Sequence, residues 1–167
     1  MDERDVTRHP PKGPTALPPT PGRDMTAARS LSIELGTDTA QLSGVFEQLE
    51  SFASDNAWPD GTAMQVQLIL EEVLINSMTH GLGGRADGRV TLTVRQDLDL
   101  VDIEVTDNGI PFDPLDHPEP DLDASIEDRQ IGGLGIHFMR TIMDDVGYQR
   151  DGELNRLRMR KRLTPGP

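Results

Sequence analysis

The chain is expected to fold as an α+β protein, a two-layer sandwich in which three helices cover a mixed, mostly antiparallel sheet of about five strands. Two patterns predict this. Apolar residues alternate with polar ones in several short runs, the period of a strand with one buried face, and recur at three- and four-residue steps in three longer runs, the period of an amphipathic helix. A third observation limits the size: 167 residues with 35% hydrophobic content support a single core and not two.

From Met1 to about Ala28 the sequence holds Pro10, Pro11, Pro14, Pro18, Pro19 and Pro21 and few large apolar side chains. Ordering that stretch would bury little, so residues 1–28 read as a flexible proline-rich extension, or as a docking arm for a partner, and residues 29–164 as the domain. Leu31, Ile33 and Leu35 alternate with Ser32 and Glu34 as a first strand. Thr37 or Asp38 can cap a helix whose Leu42, Val45, Phe46, Leu49 and Phe52 share one face. Asn56 to Gly61, with Trp58-Pro59, interrupts the period, and a second helix runs from about Thr62 to His80, closed by Gly81. Two strands carrying Val90, Leu92, Val94 and Val101, Ile103, Val105 flank a short turn at Asp97 to Asp99. Asp113 to Gln130 is acidic and without period, too long for an ordinary connection, and reads as a lid. A third helix from Gly133 carries Ile136, Met139, Ile142, Met143 and Val146, and strands around Gly147 to Arg150 and Leu154 to Leu163 end the domain.

Charge narrows the function classes. With 16 Lys plus Arg against 29 Asp plus Glu, the net charge of −13 repels a phosphate backbone, so no direct nucleic-acid role is expected and a protein partner fits better. Without cysteine there are no disulfides or thiolate metal sites. No apolar run suggests a signal peptide or membrane span, and a cytoplasmic location is expected.

Three islands carry chemistry. On the second helix, Glu72, Asn76 and His80 rise along one edge of the core face, while Glu71 points away toward solvent. An amide there can give its oxygen to a hard cation such as Mg²⁺ that takes its other ligands from water and phosphates, and a carboxylate one turn away can accept a proton. The same pair also suits an ordinary i,i+4 hydrogen bond, and His80 in the last turn suits the helix dipole. Asp107 follows a strand, where a carboxylate can receive an exocyclic amino group, and Gly109 allows close backbone approach; Asp-Asn-Gly is also a plain turn signal. Gly132, Gly133 and Gly135 open the third helix, where bare N–H groups can hold phosphate, or where a hinge or tight helix contact could sit. Their order and the long segment between the last two fit one nucleotide pocket with a lid.

These motifs, Glu-x-x-x-Asn-x-x-x-His-Gly, Asp-Asn-Gly-x-Pro-Phe-Asp-Pro and the Gly132 to Gly135 cluster, resemble the nucleotide boxes of the GHKL (Bergerat-fold) ATPases, and Arg29 to Leu163 resembles the RsbW-type anti-sigma factor serine kinases. The resemblance implies a Bergerat-type sandwich binding ATP and Mg²⁺, with Glu72 as catalytic acid/base, Asn76 as Mg²⁺ ligand, Asp107 as adenine reader, and Gly133 and Gly135 as phosphate binders. It implies an ATP-dependent serine/threonine protein kinase acting as an anti-sigma factor or analogous partner-switching regulator. Its partners would be a STAS-domain antagonist that it phosphorylates, a sigma factor, a PP2C-type phosphatase that reverses the mark, and a second copy in a homodimer. Two departures stand out: Pro111 replaces the second glycine of the common Asp-x-Gly-x-Gly form, and Asn155 stands where many relatives place a threonine near the adenine. Arg129 lies near the position of a lid arginine. The alternative is a nucleotide-gated protein that sequesters a regulatory partner with little phosphotransfer. The ATPase half of a sensor histidine kinase fits less well, since no phosphoacceptor helix precedes the domain and His9 lies among prolines.

Overall fold

The computed structural model of the chain describes residues 29–116 and 134–163. The expected extension with His9, the greater part of the lid with Arg129, and Gly132 and Gly133 lie outside the described residues. The elements are β1 (Arg29–Leu35), α1 (Leu42–Asp55), α2 (Thr62–Asn76), β2 (Val90–Asp97), β3 (Leu100–Asp107), α3 (Leu134–Ile142), β4 (Asp145–Asp151) and β5 (Leu154–Arg162). The five strands form one sheet in the order β1-β2-β3-β5-β4, and every ladder is antiparallel. Because β1 and β2 are neighbours, α1 and α2 are the crossover between them, lying on the sheet face that their apolar stripes need to cover.

Periodicity explains the layers. Val90, Leu92 and Val94 of β2, Val101, Ile103 and Val105 of β3, and Leu157 and Met159 of β5 are buried against Val45 and Leu49 of α1, Val66, Ile69, Leu70, Val73 and Leu74 of α2, and Ile136 and Met139 of α3. Each such side chain stabilises the fold by about 1.5–3 kcal/mol relative to exposure. Among the described residues the opposite sheet face carries no helix and is rich in charge. There Arg158 of β5 lies 2.7 Å from Glu104 and Arg160 lies 2.7 Å from Asp102, cross-strand pairs that are partly exposed and individually weak.

Asp38 caps the first turn, its Oδ1 accepting from the Ala40 amide at 2.9 Å. Trp58 secures the break between α1 and α2: its indole N–H donates to Gln96 on β2 at 2.7 Å, and its ring meets Phe52 edge-on at 6.1 Å. The β2–β3 hairpin turns through Leu98 and Asp99, with Leu98 at φ 56°.

Two expected boundaries are corrected. The second helix keeps α geometry only to Asn76; Ser77–Gly81 form a π-helical turn, in which the Leu82 amide donates to the Ser77 carbonyl at 2.8 Å. The third helix ends at Ile142, not beyond Val146, which belongs to β4. The cause is sheet pairing. The Asp144 amide donates to the Arg160 carbonyl at 2.9 Å, Lys161 Nζ caps the Ile142 carbonyl at 3.0 Å, and Val146 satisfies a strand register as well as a helical step. No helix among the described residues is long and apolar enough to cross a membrane.

Candidate functional site

One cross-strand row of the sheet changes from apolar to polar. Leu35 pairs with Val90, Val90 with Asp107, Asp107 with Asn155, and Asn155 with Arg150. Asp107 is 7% exposed and Asn155 is 5% exposed, and buried polar groups of this kind must find partners. Asp107 Oδ1 accepts from the Gly109 amide at 2.9 Å and from Asn155 Nδ2 at 2.8 Å, while its Oδ2 accepts from the Ser77 hydroxyl at 3.1 Å.

The turn after Asp107 is fastened on two sides. Asn108 accepts from the Arg89 amide at 2.8 Å and donates to the Asp87 carbonyl at 2.9 Å, tying the turn to the start of β2. The Ile110 amide donates to the Gly81 carbonyl at 2.9 Å, tying it to the π turn. A Cβ on Gly109 would lie 2.5 Å from that same Gly81 oxygen, so the close approach needs glycine at this position.

On α2, Glu72 and Asn76 are half-buried and Glu71 is exposed. Asn76 Nδ2 donates to Glu72 Oε1 at 3.2 Å, the i,i+4 bond that the spacing allows. Since a carboxylate only accepts, this contact fixes the amide with its nitrogen toward Glu72 and leaves its oxygen available to a cation. Among the described residues no group of three or more His, Asp or Glu gathers as a metal site. A Mg²⁺ beside Asn76 would thus draw most of its ligands from phosphate and water, which is the habit of that ion. His80 is exposed and lies in the π turn, beyond the α-helical line of Glu72 and Asn76. Gly135 is pressed against α2: a Cβ there would lie 2.3 Å from Glu72 Cβ, so Gly135 is a tight helix contact that seats α3 against the Glu72 side chain.

Between these parts lies a cleft with apolar walls, Val73, Val105, Phe112, Ile136, Tyr148 and Leu157, and with Asn76, Ser77, Asp107 and Asn155 as its polar groups. Burial pushes the Tyr148 phenol above its ordinary value, partly offset by a backbone hydrogen bond at Phe112 and by Arg150. Burial likewise raises the Asp113 carboxyl, with the Leu115 amide acting in the opposite direction. An apolar cleft with one buried carboxylate among its lining residues suits a base carrying an exocyclic N–H donor.

The structure brings together Asn76, Asp107, Gly109 and Asn155 and places Glu72 and Gly135 at their margin. Sequence reasoning missed Ser77, Tyr148 and Arg150 as site residues. Ser77 was legible as a hydroxyl on the apolar stripe of the second helix, and Tyr148 and Arg150 as inward positions of the fourth strand, had its register been known.

Comparison with known proteins agrees with this geometry. Residues 35–161 match the histidine kinase-like ATPase domain family. The chain is 27% identical over 139 residues to the serine/threonine-protein kinase BtrW of Bordetella bronchiseptica, covering 83% of this chain and 98% of that protein. It is 32% identical over 90 residues to the serine-protein kinase RsbW of Listeria monocytogenes, covering 52% of this chain and 57% of that protein. It is 31% identical over 100 residues to an anti-sigma F factor of Clostridium botulinum, covering 59% of this chain and 70% of that protein. A solved structure of the RsbU and RsbW domains of a Mycobacterium tuberculosis protein superposes with a TM-score of 0.54 at 14% identity, over 83% of this chain and 33% of that one, and shares the fold. By fold, by the cleft on its helical face and by the stretch matched, the chain belongs to the histidine kinase-like ATPase domain family.

Proposed function

We propose that the chain is an ATP-dependent serine/threonine protein kinase of the partner-switching type, an anti-sigma factor or its analogue, working in the cytoplasm. The observation that carries this reading is Asp107, buried in an apolar cleft with one acceptor position left for a base amino group, in the same cleft as Asn76 of the Glu72–Asn76 pair. Relatives named as serine kinases and as an anti-sigma factor support it.

Asp107 receives the adenine amino group, and the Val73, Phe112 and Ile136 walls exclude water from the ring. Asn76 Oδ1 is a ligand of Mg²⁺, which when bound neutralises phosphate charge during transfer. Glu72 orients the incoming hydroxyl and takes its proton. Gly132 and Gly133, with the start of α3, hold phosphate oxygens, and His80 serves as a secondary phosphate neighbour. The phosphoacceptor is a serine or threonine on a STAS-domain antagonist, a PP2C-type phosphatase reverses the mark, and the active unit is a homodimer with the proline-rich residues 1–28 as an appendage to the domain.

Incubation of the purified chain with labelled ATP, Mg²⁺ and a STAS-domain protein should label that protein. Glu72→Ala should slow labelling by about 10²–10⁴-fold, the span of a general base, while ATP binding persists. Equal labelling by the variant would remove Glu72 from the chemistry. A tight, ATP-sensitive complex with no phosphoprotein would favour the sequestering alternative.

A further inference from the structure

The buried amide of Asn155 is saturated. Its Nδ2 donates to Asp107 Oδ1 and to the Ile110 carbonyl, both at 2.8 Å. Its Oδ1 accepts from the Tyr148 hydroxyl at 2.7 Å and from Arg150 at 2.9 Å. Both hydrogens and both lone pairs are used, which is all an amide can offer. Turning the amide over would set its oxygen against a carboxylate and a carbonyl and its NH₂ against two donors, so the orientation is unique. The two groups that make it unique come from β4, Tyr148 from the row of Leu157 and Arg150 from the row of Asn155 itself. Arg150 also donates to the Gly109 carbonyl at 2.9 Å, joining the same lock to the glycine turn.

The orientation matters through Asp107. A carboxylate has about four lone-pair positions. Oδ1 is filled by Gly109 and Asn155, and Oδ2 holds Ser77, which leaves a single acceptor position on Oδ2. An Asn155 amide turned over would set its oxygen against Oδ1, and the carboxylate would rotate to relieve that repulsion, moving its remaining acceptor position. A carboxylate accepts and does not donate, so that position pairs with the amino group of a 6-amino purine and repels the oxygen of a 6-oxo purine.

We infer that Tyr148 and Arg150 are positioning residues which fix the Asn155 amide and thereby keep Asp107 an acceptor that selects 6-amino over 6-oxo purine nucleotides. The inference rests on the nucleotide-site reading above and deepens it by naming the residues that set base choice.

The test is calorimetric binding of Mg-ATP and Mg-ITP, which differ in the 6-substituent and in the proton that the 6-oxo base carries on N1, to the full chain and to Tyr148→Phe, Arg150→Met and the double variant. The ATP:ITP affinity ratio of the double variant should fall by about five- to tenfold, the worth of one hydrogen bond, with most of the loss on ATP. Arg150→Lys, which keeps a donor on the strand, should recover part of the ratio. An unchanged ratio, or an equal loss for both nucleotides, would overturn the inference, since loosened packing weakens both alike. Should the double variant fail to fold, Tyr148→Phe removes one oxygen and keeps the ring, and the same ratio decides. A wild-type chain that binds ATP with the variants' ratio unmoved sinks only the lock; a wild-type chain that binds neither nucleotide sinks the site reading and this inference with it.

Discussion

Two glycines of the candidate site show how differently a missing Cβ can matter. Gly109 faces backbone: an alanine there would place its methyl 2.5 Å from the Gly81 oxygen and 2.6 Å from the Gly81 carbon, atoms that cannot rotate aside. Gly109→Ala is expected to cost about 1–3 kcal/mol in urea denaturation and to weaken ATP binding, because the Ile110–Gly81 bond must lengthen. Gly135 meets Glu72 at its Cβ, 2.3 Å from an added methyl and as immobile as backbone, so an alanine there forces α3 and α2 apart and shifts the helix that carries Glu72. From sequence the need for glycine at 109 was legible as an Asp-Asn-Gly turn. Its partner was not, since Gly81 meets it only once the two strands between them, β2 and β3, have paired. For Gly135 the sequence left phosphate binding and helix contact equally open, and the spatial neighbour that decides the contact lies on α2.

Helices and strands were legible where one period had no competitor. The alternations of β2 and β3 and the stripe of α1 each satisfied a single pattern, whereas Val146 satisfied two and was assigned to the helix. The π turn left no trace in composition: Ser77 to Gly81 read as a continuing helix, and the partners that meet it there, Asp107 at the end of β3 and Ile110 in the turn after it, are distant in sequence. The short 3₁₀ turn at Pro114–Asp116 illustrates the electrostatics of such connections. Asp113 beside it is raised by burial, with Asp116 adding to the shift and Arg140 opposing it. A carboxyl raised in the folded state binds its proton more tightly there than in the unfolded chain, so folding loses stability as pH rises from the ordinary carboxylate range through the raised value. Asp113→Asn keeps an acceptor for the Leu115 amide, which Asp113 Oδ1 holds at 2.8 Å, and removes the charge. Thermal denaturation should find the variant gaining on the wild type at neutral pH, with the difference shrinking as pH falls below the ordinary carboxylate range; a difference constant with pH would assign the burial of Asp113 no energetic weight.

Across the whole molecule, the cleft is assembled from α2, β3, β4, β5 and α3, so a ligand in it ties both layers together. Binding only to the folded state stabilises by about 2.7 kcal/mol at a hundredfold excess over Kd. For a chain of this size that corresponds to a rise in Tm of about 5–10 °C, measurable by scanning calorimetry with Mg-ATP. The rise should vanish for Asp107→Ala, and a rise that survived would place the nucleotide elsewhere. The single core, the layer order and the islands that form the cleft were all readable from periodicity and spacing. The row from Leu35 to Arg150 was not, because pairing register is a property of strands already side by side.

The five-residue winding at Ser77–Gly81 behaves like an insertion that the helix has absorbed. Deleting any one residue of it would restore a regular spiral and swing everything downstream by about 100°, carrying the Gly81 carbonyl away from the Ile110 amide. Chain length in this stretch is therefore as fixed as any side chain: the floor of the cleft depends on how many residues precede Leu82, whatever most of them are.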